Sequence, residues 1–438
     1  MFLYNLRLAR MSLRKQPLLT ALMIAAIGIG VGACMTILTF VYTLGSDPIP
    51  QKSDELFAVR LDSWSPDRPY TEQKPEEAPW QLTHRDAMAL LESPIPTRQA
   101  AMRKAVFSVL PSNEDIAPFI LISRMTQNDF FEMFQVPFLY GSAWNDSADA
   151  DAGNVVVLSR EMNEKLFGGE NSVGNEVNFD SEIFTVTGVI DEWQPQVLFY
   201  DVNNGPVSPV EDVFMPFTIT DKREIQGAGN TNCWKDERID SYFDLLESEC
   251  VYVQYWAELG SDAQKAEYQA WLDAYTNGQK ALGRFERETN NRLSNVTEWM
   301  KVQDVTPAEV LIVMSVGVLF LTACLVNTIG LILARFIAKA PVIGLRRALG
   351  ASKATIFRQH LVEVGLVGLA GGILGLLLAR LGLFGLTKVL TDANQMAHLD
   401  WTLVGITIFI AVGSAIVAGL YPTWRICQVS PSGYLKTQ

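Results

Sequence analysis

Four apolar stretches, each long enough to cross a bilayer as a helix, constrain this chain more than anything else in its sequence. They run from Pro17 to Leu44, from Pro307 to about Arg335, from about Phe357 to Leu386, and from Trp401 to about Trp424. A helix needs roughly 20 apolar residues to cover about 30 Å of hydrocarbon, and each stretch supplies them. With 49% apolar and only 19% charged residues, the whole chain is greasier than an ordinary soluble protein. Pro17 suits the first turn of its helix, where its missing N–H has no partner to lose. That first stretch is too long for a signal peptide. Val31-Gly32-Ala33-Cys34 loosely resembles a lipoprotein cleavage box, but Met35 to Tyr42 stay apolar beyond it, which favours a span.

Basic residues near a membrane are retained on the cytoplasmic side, so their positions orient the spans. Arg7, Arg10, Arg14 and Lys15 precede the first stretch. Arg335, Lys339, Arg346, Arg347, Lys353 and Arg358 lie between the second and third, and Arg425 and Lys436 follow the fourth. These segments hold no acid from residue 336 to residue 356, and both ends of the chain are expected in the cytoplasm. Between Gly45 and Thr306, in contrast, stand 21 basic and 44 acidic side chains, a net charge of −23. This region is expected outside the cytoplasm, and its charge excludes nucleic acid as a partner. The fold class expected is therefore an α-helical membrane protein with four transmembrane helices and a large α/β (α+β) domain between the first and second.

The expected organisation is a cytoplasmic amphipathic helix over residues 1–16, a span over 17–44, the outer domain over 45–306, and a second span over 307–335. A cytoplasmic loop over 336–356, a span over 357–386, a short outer loop over 387–400, a span over 401–424 and a cytoplasmic tail over 425–438 complete it. In the N-terminal segment Phe2, Leu6, Ala9 and Leu13 share one side and Arg7, Arg10 and Arg14 another, as in a helix lying at a lipid interface.

Within the outer region, Phe119 to Ser123 reads as a strand and Gln127 to Phe134 as a helix. Val155 to Leu158 reads as a buried strand, Glu161 to Phe167 as an amphipathic helix stopped by Gly168-Gly169, and Ile183 to Val189 as an alternating strand. Residues 196–256 are rich in Asn, Gly, Pro and Asp, which suggests an irregular lobe, and Ala263 to Trp299 reads as helical up to the second span. Cys34, Cys324 and Cys427 fall in the membrane or the cytoplasm, leaving Cys233 and Cys250 outside. An oxidising compartment and an even count favour a disulfide between those two; two unpaired thiols are the alternative.

Short motifs stand at Asn327-Thr328-Ile329-Gly330, Ile343-Gly344-Leu345-Arg346-Arg347-Ala348-Leu349-Gly350-Ala351, Phe357-Arg358-Gln359 with Glu363, and Ala418-Gly419-Leu420-Tyr421-Pro422-Thr423-Trp424-Arg425. In them the chain resembles the MacB and FtsX class of ABC transporter permeases, and there the resemblance is densest. Outside the membrane it rests on Phe130-Phe131-Glu132-Met133-Phe134, on Glu164-Lys165-Leu166-Phe167-Gly168-Gly169-Glu170-Asn171, and on Thr185-Val186-Thr187-Gly188-Val189. It implies a periplasmic domain on a permease of the bacterial inner membrane. It also implies that Ile343, Gly344, Leu345, Arg346, Arg347, Ala348, Leu349 and Gly350 form the element that contacts a separate ATPase subunit. A Gly-capped basic turn between two spans is a compact knob suited to another protein's groove; arginines that merely obey the positive-inside rule are the plainer reading. The family usually carries a Glu just before the Ile-Gly pair, where this chain has Pro341-Val342.

The third stretch is glycine-rich. Gly368 with Gly372, and Gly371 with Gly375, are small residues four apart that let helices approach closely, either between two copies or within one. No G-x-x-x-x-G-K-[ST] phosphate loop occurs in these residues, so ATP and its magnesium are expected on the partner subunit and no cofactor on this chain. His84, His360 and His398 are scattered, and no Cys/His cluster has metal spacing, so neither a catalytic nor a metal site is expected.

The resemblance carries two functional classes. One is export, in which ATP-driven motion of the outer domains pushes a peptide, drug or similar substrate into a periplasmic adaptor and an outer-membrane channel, with a second permease copy or a sister permease and membrane lipid as further partners. The other is lipoprotein release or control of a cell-wall hydrolase. The size of the outer domain favours export over the hydrolase branch.

Overall fold

The structure is a computed structural model that describes residues 2–111, 113, 115–306, 308–389 and 401–428. The chain divides into two compact units, one of residues 1–46 with 306–438 and the other of residues 47–305.

The chain opens with α1 (Phe2–Lys15) and α2 (Pro17–Gly45), with Pro17 at the start of the second helix. In the α/β unit follow β1 (Leu56–Arg60), α3 (His84–Leu91), β2 (Arg98–Val109), β3 (Phe119–Thr126), α4 (Asp129–Met133), β4 (Phe138–Gly141), α5 (Asp146–Ala150) and β5 (Val155–Leu158). Then come α6 (Arg160–Phe167), β6 (Glu176–Phe179), β7 (Glu182–Ile190), β8 (Val213–Pro216), α7 (Ile219–Lys222), β9 (Gly227–Ala228), α8 (Tyr242–Glu247), β10 (Gln254–Glu258), α9 (Asp262–Ala281), β11 (Arg292–Asn295) and α10 (Val296–Val302). The membrane unit resumes with α11 (Ala308–Ala348), α12 (Lys353–Val389) and α13 (Trp401–Cys427).

The strands form one mixed sheet in the order β11-β1-β10-β2-β3-β8-β5-β7-β4, with β6 and β9 added along β2 and β7. Most neighbours are antiparallel; β3 with β8 and β5 with β7 are parallel. Local chemistry sets the helix ends. Ser159 accepts from the Met162 N–H at 3.0 Å to start α6, and Gly168, at φ +68°, ends it in the left-handed conformation that a side chain disfavours. Phe130, Phe131 and Phe134 bury themselves against Tyr200, Phe214 and Trp256, with ring centroids 5.2–5.8 Å apart in these pairs, while Glu132 between them points out.

Beside this cluster lies a fully buried ionic knot. Arg124 of β3 meets Asp201 at 2.5 Å and also Glu211, Lys104 stands 3.2 Å from Asp201, and Tyr200 donates to Glu211 at 3.0 Å. Burial pushes the Glu211 carboxyl up, but the Arg124 and Lys104 charges outweigh it and hold the group below its ordinary range.

Two sequence expectations need correction here. Residues 196–256 are largely irregular, as expected, but not a lobe apart from the sheet, because β8 lies between β3 and β5 and β10 lies between β1 and β2. Their apolar runs, Val213-Phe214-Met215 and Tyr255-Trp256-Ala257, are too short to stand out among turn-forming residues. Nor is the segment from Ala263 to Trp299 one helix. It breaks after Ala281, Gly283 takes φ +84°, and Arg292 to Asn295 pair with β1 as a strand. Cys233 and Cys250 are joined by a disulfide that closes the excursion carrying α8.

Among the described residues four helices are long and apolar enough to cross a membrane, over Pro17–Gly45, Ile312–Ala348, Lys353–Gly385 and Val404–Arg425. The loop expected over 336–356 is a correction of the same kind. α11 runs on unbroken to Ala348 because Phe336, Ala340 and Ile343 recur three and four apart and bury a stripe against the start of α12, where Ile356 is also buried. Only residues 349–352 turn the chain. Of the segments expected at 387–400 and 425–438, residues 390–400 and 429–438 lie outside the described residues.

The glycines of α12 pack within the subunit. A methyl group placed on Gly368 would lie 2.6 Å from Ala415 Cβ, and one on Gly372 would lie 2.9 Å from Ala411 Cβ, both on α13. On the adjacent face, Gly371 would meet Ile27 at 2.7 Å and Gly375 would meet Val31 at 3.0 Å, both on α2. Of the two readings open for these glycines, this packing takes the one internal to a single chain.

Candidate functional site

The α11–α12 hairpin brings together every residue that the sequence marks for contact with an ATPase. Ile343 is buried, and Gly344 is buried with nothing within 4 Å of its Cβ position. Leu345 and Leu349 face outward, 53% and 80% exposed, with Val342 beside them at 60%. Arg346 is exposed and donates to Gln359 Oε1 at 3.0 Å, which braces it against α12. Arg347 is half-buried, and Ala348 is exposed.

Gly350 ends α11 at φ +97°. Its N–H bonds the Arg347 carbonyl at 3.1 Å, and the Ala351 N–H bonds the Arg346 carbonyl at 3.0 Å. This double closure satisfies two of the last helical carbonyls and needs a residue without Cβ at the turn. Ser352 then starts α12, its Oγ accepting from the Thr355 N–H at 3.2 Å. The tip is thus a rigid helical corner displaying three aliphatic side chains and an arginine.

At a rise of about 1.5 Å per residue, the segment from Arg335 to Ala348 carries α11 roughly 20 Å past the span end expected at Arg335, as an extension of the same helix. An exposed leucine at this end of the helix gains by burial in another protein; fully burying one is worth about 1.5–3 kcal/mol. Pro341 and Val342, which replace the acidic residue the resemblance leads one to expect, are both exposed on this extension.

At the base of the hairpin the structure gathers residues that sequence reading left apart. Glu363 of α12 is buried and receives Arg335 Nη2 at 2.7 Å and Lys339 Nζ at 2.8 Å from α11, and Ser12 Oγ of α1 at 2.9 Å. His360 Nδ1 lies 3.3 Å from the same carboxylate, and the His360 ring packs on Phe336 at 4.6 Å. Arg335 also donates to the Ser12 carbonyl at 2.9 Å and to Thr20 Oγ1 of α2 at 3.1 Å. Arg335 and Lys339, four apart, share a helix face, as do His360 and Glu363, three apart; that spacing was the available signal. The sequence reading counted the two cations only toward orientation.

No group of three or more His, Cys, Asp or Glu side chains among the described residues could hold a metal ion. His84 pairs with Asp221 at 3.0 Å in the α/β unit, and His398 lies outside the described residues.

The chain matches the family described as MacB-like periplasmic core domain over residues 20–275 and the one described as FtsX-like permease C-terminal over residues 314–431. It is 24% identical over 375 residues to the macrolide export ATP-binding/permease protein MacB of Syntrophobacter fumaroxidans, a match that covers 80% of this chain and 52% of that protein. It is 23% identical over 312 residues to the pyoverdine export ATP-binding/permease protein PvdT of Pseudomonas aeruginosa, covering 71% of this chain and 41% of the relative. The chain therefore spans about half the length of the curated relatives it matches. Among solved structures, the periplasmic region of MacB from Actinobacillus actinomycetemcomitans aligns at 12% identity and a TM-score of 0.38, over 58% of this chain and 96% of that one. With the two family matches covering most of its length, the chain belongs to the MacB-like, FtsX-like family of ABC transporter permeases.

Proposed function

We propose that this chain is the permease subunit of an ABC transporter of the mechanotransmission type in a bacterial inner membrane, with both ends in the cytoplasm. A separate ATP-binding subunit seats on the α11–α12 hairpin, and its closure and opening on ATP displace the hairpin. The helices pass that displacement to the α/β domain on the periplasmic side. There it drives a substrate such as a peptide or drug toward a periplasmic adaptor and an outer-membrane channel, with a second permease copy completing the assembly. The export names of the relatives support this branch.

The observation that carries the reading is the hairpin tip, where Leu345, Leu349 and Val342 are exposed around Arg346 at the end of α11. Such a surface suits a groove on a protein partner. The positive-inside pattern at Arg346, Arg347, Lys353 and Arg358 supports the orientation.

The test is co-purification of the tagged chain, in mild detergent, with its ATP-binding candidate, followed by ATP hydrolysis. The wild type should retain the ATPase, and Leu345→Glu or Leu349→Glu should release it while the permease itself stays monodisperse. Retention of the ATPase by both variants would remove the hairpin from the interface.

A further inference from the structure

Glu363 is shielded from any docking partner, since it is buried at the base of the hairpin and not at its tip. Its carboxylate is nevertheless where three helices meet. It accepts from Ser12 of α1, from Arg335 and Lys339 of α11, and lies against His360 of its own helix. Through Arg335 the same cluster reaches Thr20 at the start of α2. Two cations around one carboxylate, all poorly exposed, form a connection that is costly to open, because separating any pair leaves a charge in a medium that solvates it badly.

The geometry also gives α1 a mechanical place. Ser12 binds the cluster twice, by its hydroxyl to Glu363 and by its carbonyl to Arg335, and Ala9 of α1 is fully buried. Lys339 adds a third link to the Ser12 hydroxyl. A helix that only marked topology by its arginines would need none of these bonds. Arg335 lies ten residues before Leu345, or about 15 Å along the helix. A push at the tip reaches this cluster before it reaches the part of α11 that precedes Arg335.

We infer that Glu363 is a positioning residue that clamps α1 and the extended end of α11 onto α12, so that the hairpin moves as one body and a displacement at its tip is passed on to the spans instead of being absorbed by the hairpin's own bending. The inference rests on the proposed function for the source of the push, and not for the clamp itself.

The clamp is read without any partner. Spin labels at Arg10→Cys on α1 and Arg358→Cys on α12, both exposed positions, on a background lacking Cys34, Cys324 and Cys427, report the α1–α12 distance in nanodiscs. One narrow distance is expected in the wild type and a broadened or shifted distribution in Glu363→Gln. An unchanged distribution in Glu363→Gln overturns the clamp whatever the ATPase does.

Transmission is then read in the complex with the ATP-binding subunit. A label at the exposed Leu282 of the α/β domain in each of two copies reports the change between ADP and a non-hydrolysable ATP analogue. Glu363→Gln is expected to keep the ATPase bound and hydrolysing ATP while losing that change, and the exchanged pair Lys339→Glu with Glu363→Lys is expected to restore it. If Glu363→Gln does not fold, Ser12→Ala and Lys339→Gln each remove part of the clamp and leave Arg335 with Glu363; wild-type behaviour in both overturns the inference. A wild type that binds no ATPase sinks the proposed function and leaves the α1–α12 measurement to decide the clamp.

Discussion

Ser12, near the start of the chain, donates its hydroxyl hydrogen to the carboxylate of Glu363 at 2.9 Å, across a sequence separation of 351 residues. The amphipathic first helix is thereby part of the helical bundle and not a separate surface element, since Arg335 and Lys339 hold the same two residues from α11.

Removing Arg335 takes one of the two basic side chains, Arg335 and Lys339, from Glu363 in a buried site. Breaking a buried ion pair from one side costs about 3–5 kcal/mol. Arg335→Ala should lower the thermal unfolding temperature in detergent clearly more than Arg358→Ala, at an exposed position, does, as read by fluorescence-detected size exclusion after heating. Equal melting of the two variants would mean that the cluster carries no more than a surface charge does.

Gly368 admits no side chain, since a Cβ there would lie 2.6 Å from Ala415 Cβ and 3.0 Å from the Ala411 carbonyl oxygen. Gly368→Leu should force α12 and α13 apart and destabilise the bundle by about 1–3 kcal/mol or more. Gly365→Leu is the control, because nothing stands within 4 Å of its Cβ position. The same heating assay should separate the two.

In the α/β domain, Arg124→Ala leaves Asp201 and Glu211 in the interior with Lys104 as their remaining cation. A loss of about 3–5 kcal/mol is expected, visible as a lower denaturant midpoint in tryptophan fluorescence, Trp256 being close to the knot. Arg124→Met should be no milder, since it too leaves both carboxylates without their guanidinium.

Asp149 sets a pH dependence of definite sign. Burial pushes its carboxyl up to about 6, against the hydrogen bonds from the Asn128 N–H at 2.8 Å and Trp144 Nε1 at 2.7 Å that favour the charged form. The folded state therefore binds a proton that an unfolded aspartate, near 3.9, does not hold over that window. The contribution of this group to stability is lowest above about pH 6 and grows as the pH falls toward 4. Asp149→Asn should flatten the stability profile between those values, measured by denaturant unfolding at several pH values; an unchanged slope would assign the titration elsewhere.

The bond between Cys233 and Cys250 encloses an exposed segment carrying Lys235 and Arg238. Closing a loop of this size restricts the unfolded chain by about 3 kcal/mol. Reduction, or Cys250→Ala, should speed tryptic cleavage after Lys235 and Arg238 while leaving cleavage in the membrane helices unchanged, as peptide mapping over time would record.

The spans were legible because hydrocarbon imposes one requirement on every residue of a 20-residue run, and composition alone reveals it. The first helix, β5, α6 and β7 were legible for a related reason, each having its period and its stop signals within a dozen residues. The family could be recognised from short motifs, and the hairpin residues from Ile343 to Gly350 with it. The central strands β8 and β10 were not legible, because four or five buried residues become a strand only when a sheet on both sides supplies their hydrogen bonds. The extension of α11 to Ala348 depended on α12 covering Phe336, Ala340 and Ile343, and the packing of Gly368 and Gly371 inside one subunit depended on where Ala415 and Ile27 stand. Glu363 is the clearest case: local sequence determines its charge and its place on a helix. Only the tertiary fold brings Ser12, Arg335 and Lys339 around it, because burial and pairing are properties of what surrounds a residue and not of the residue itself.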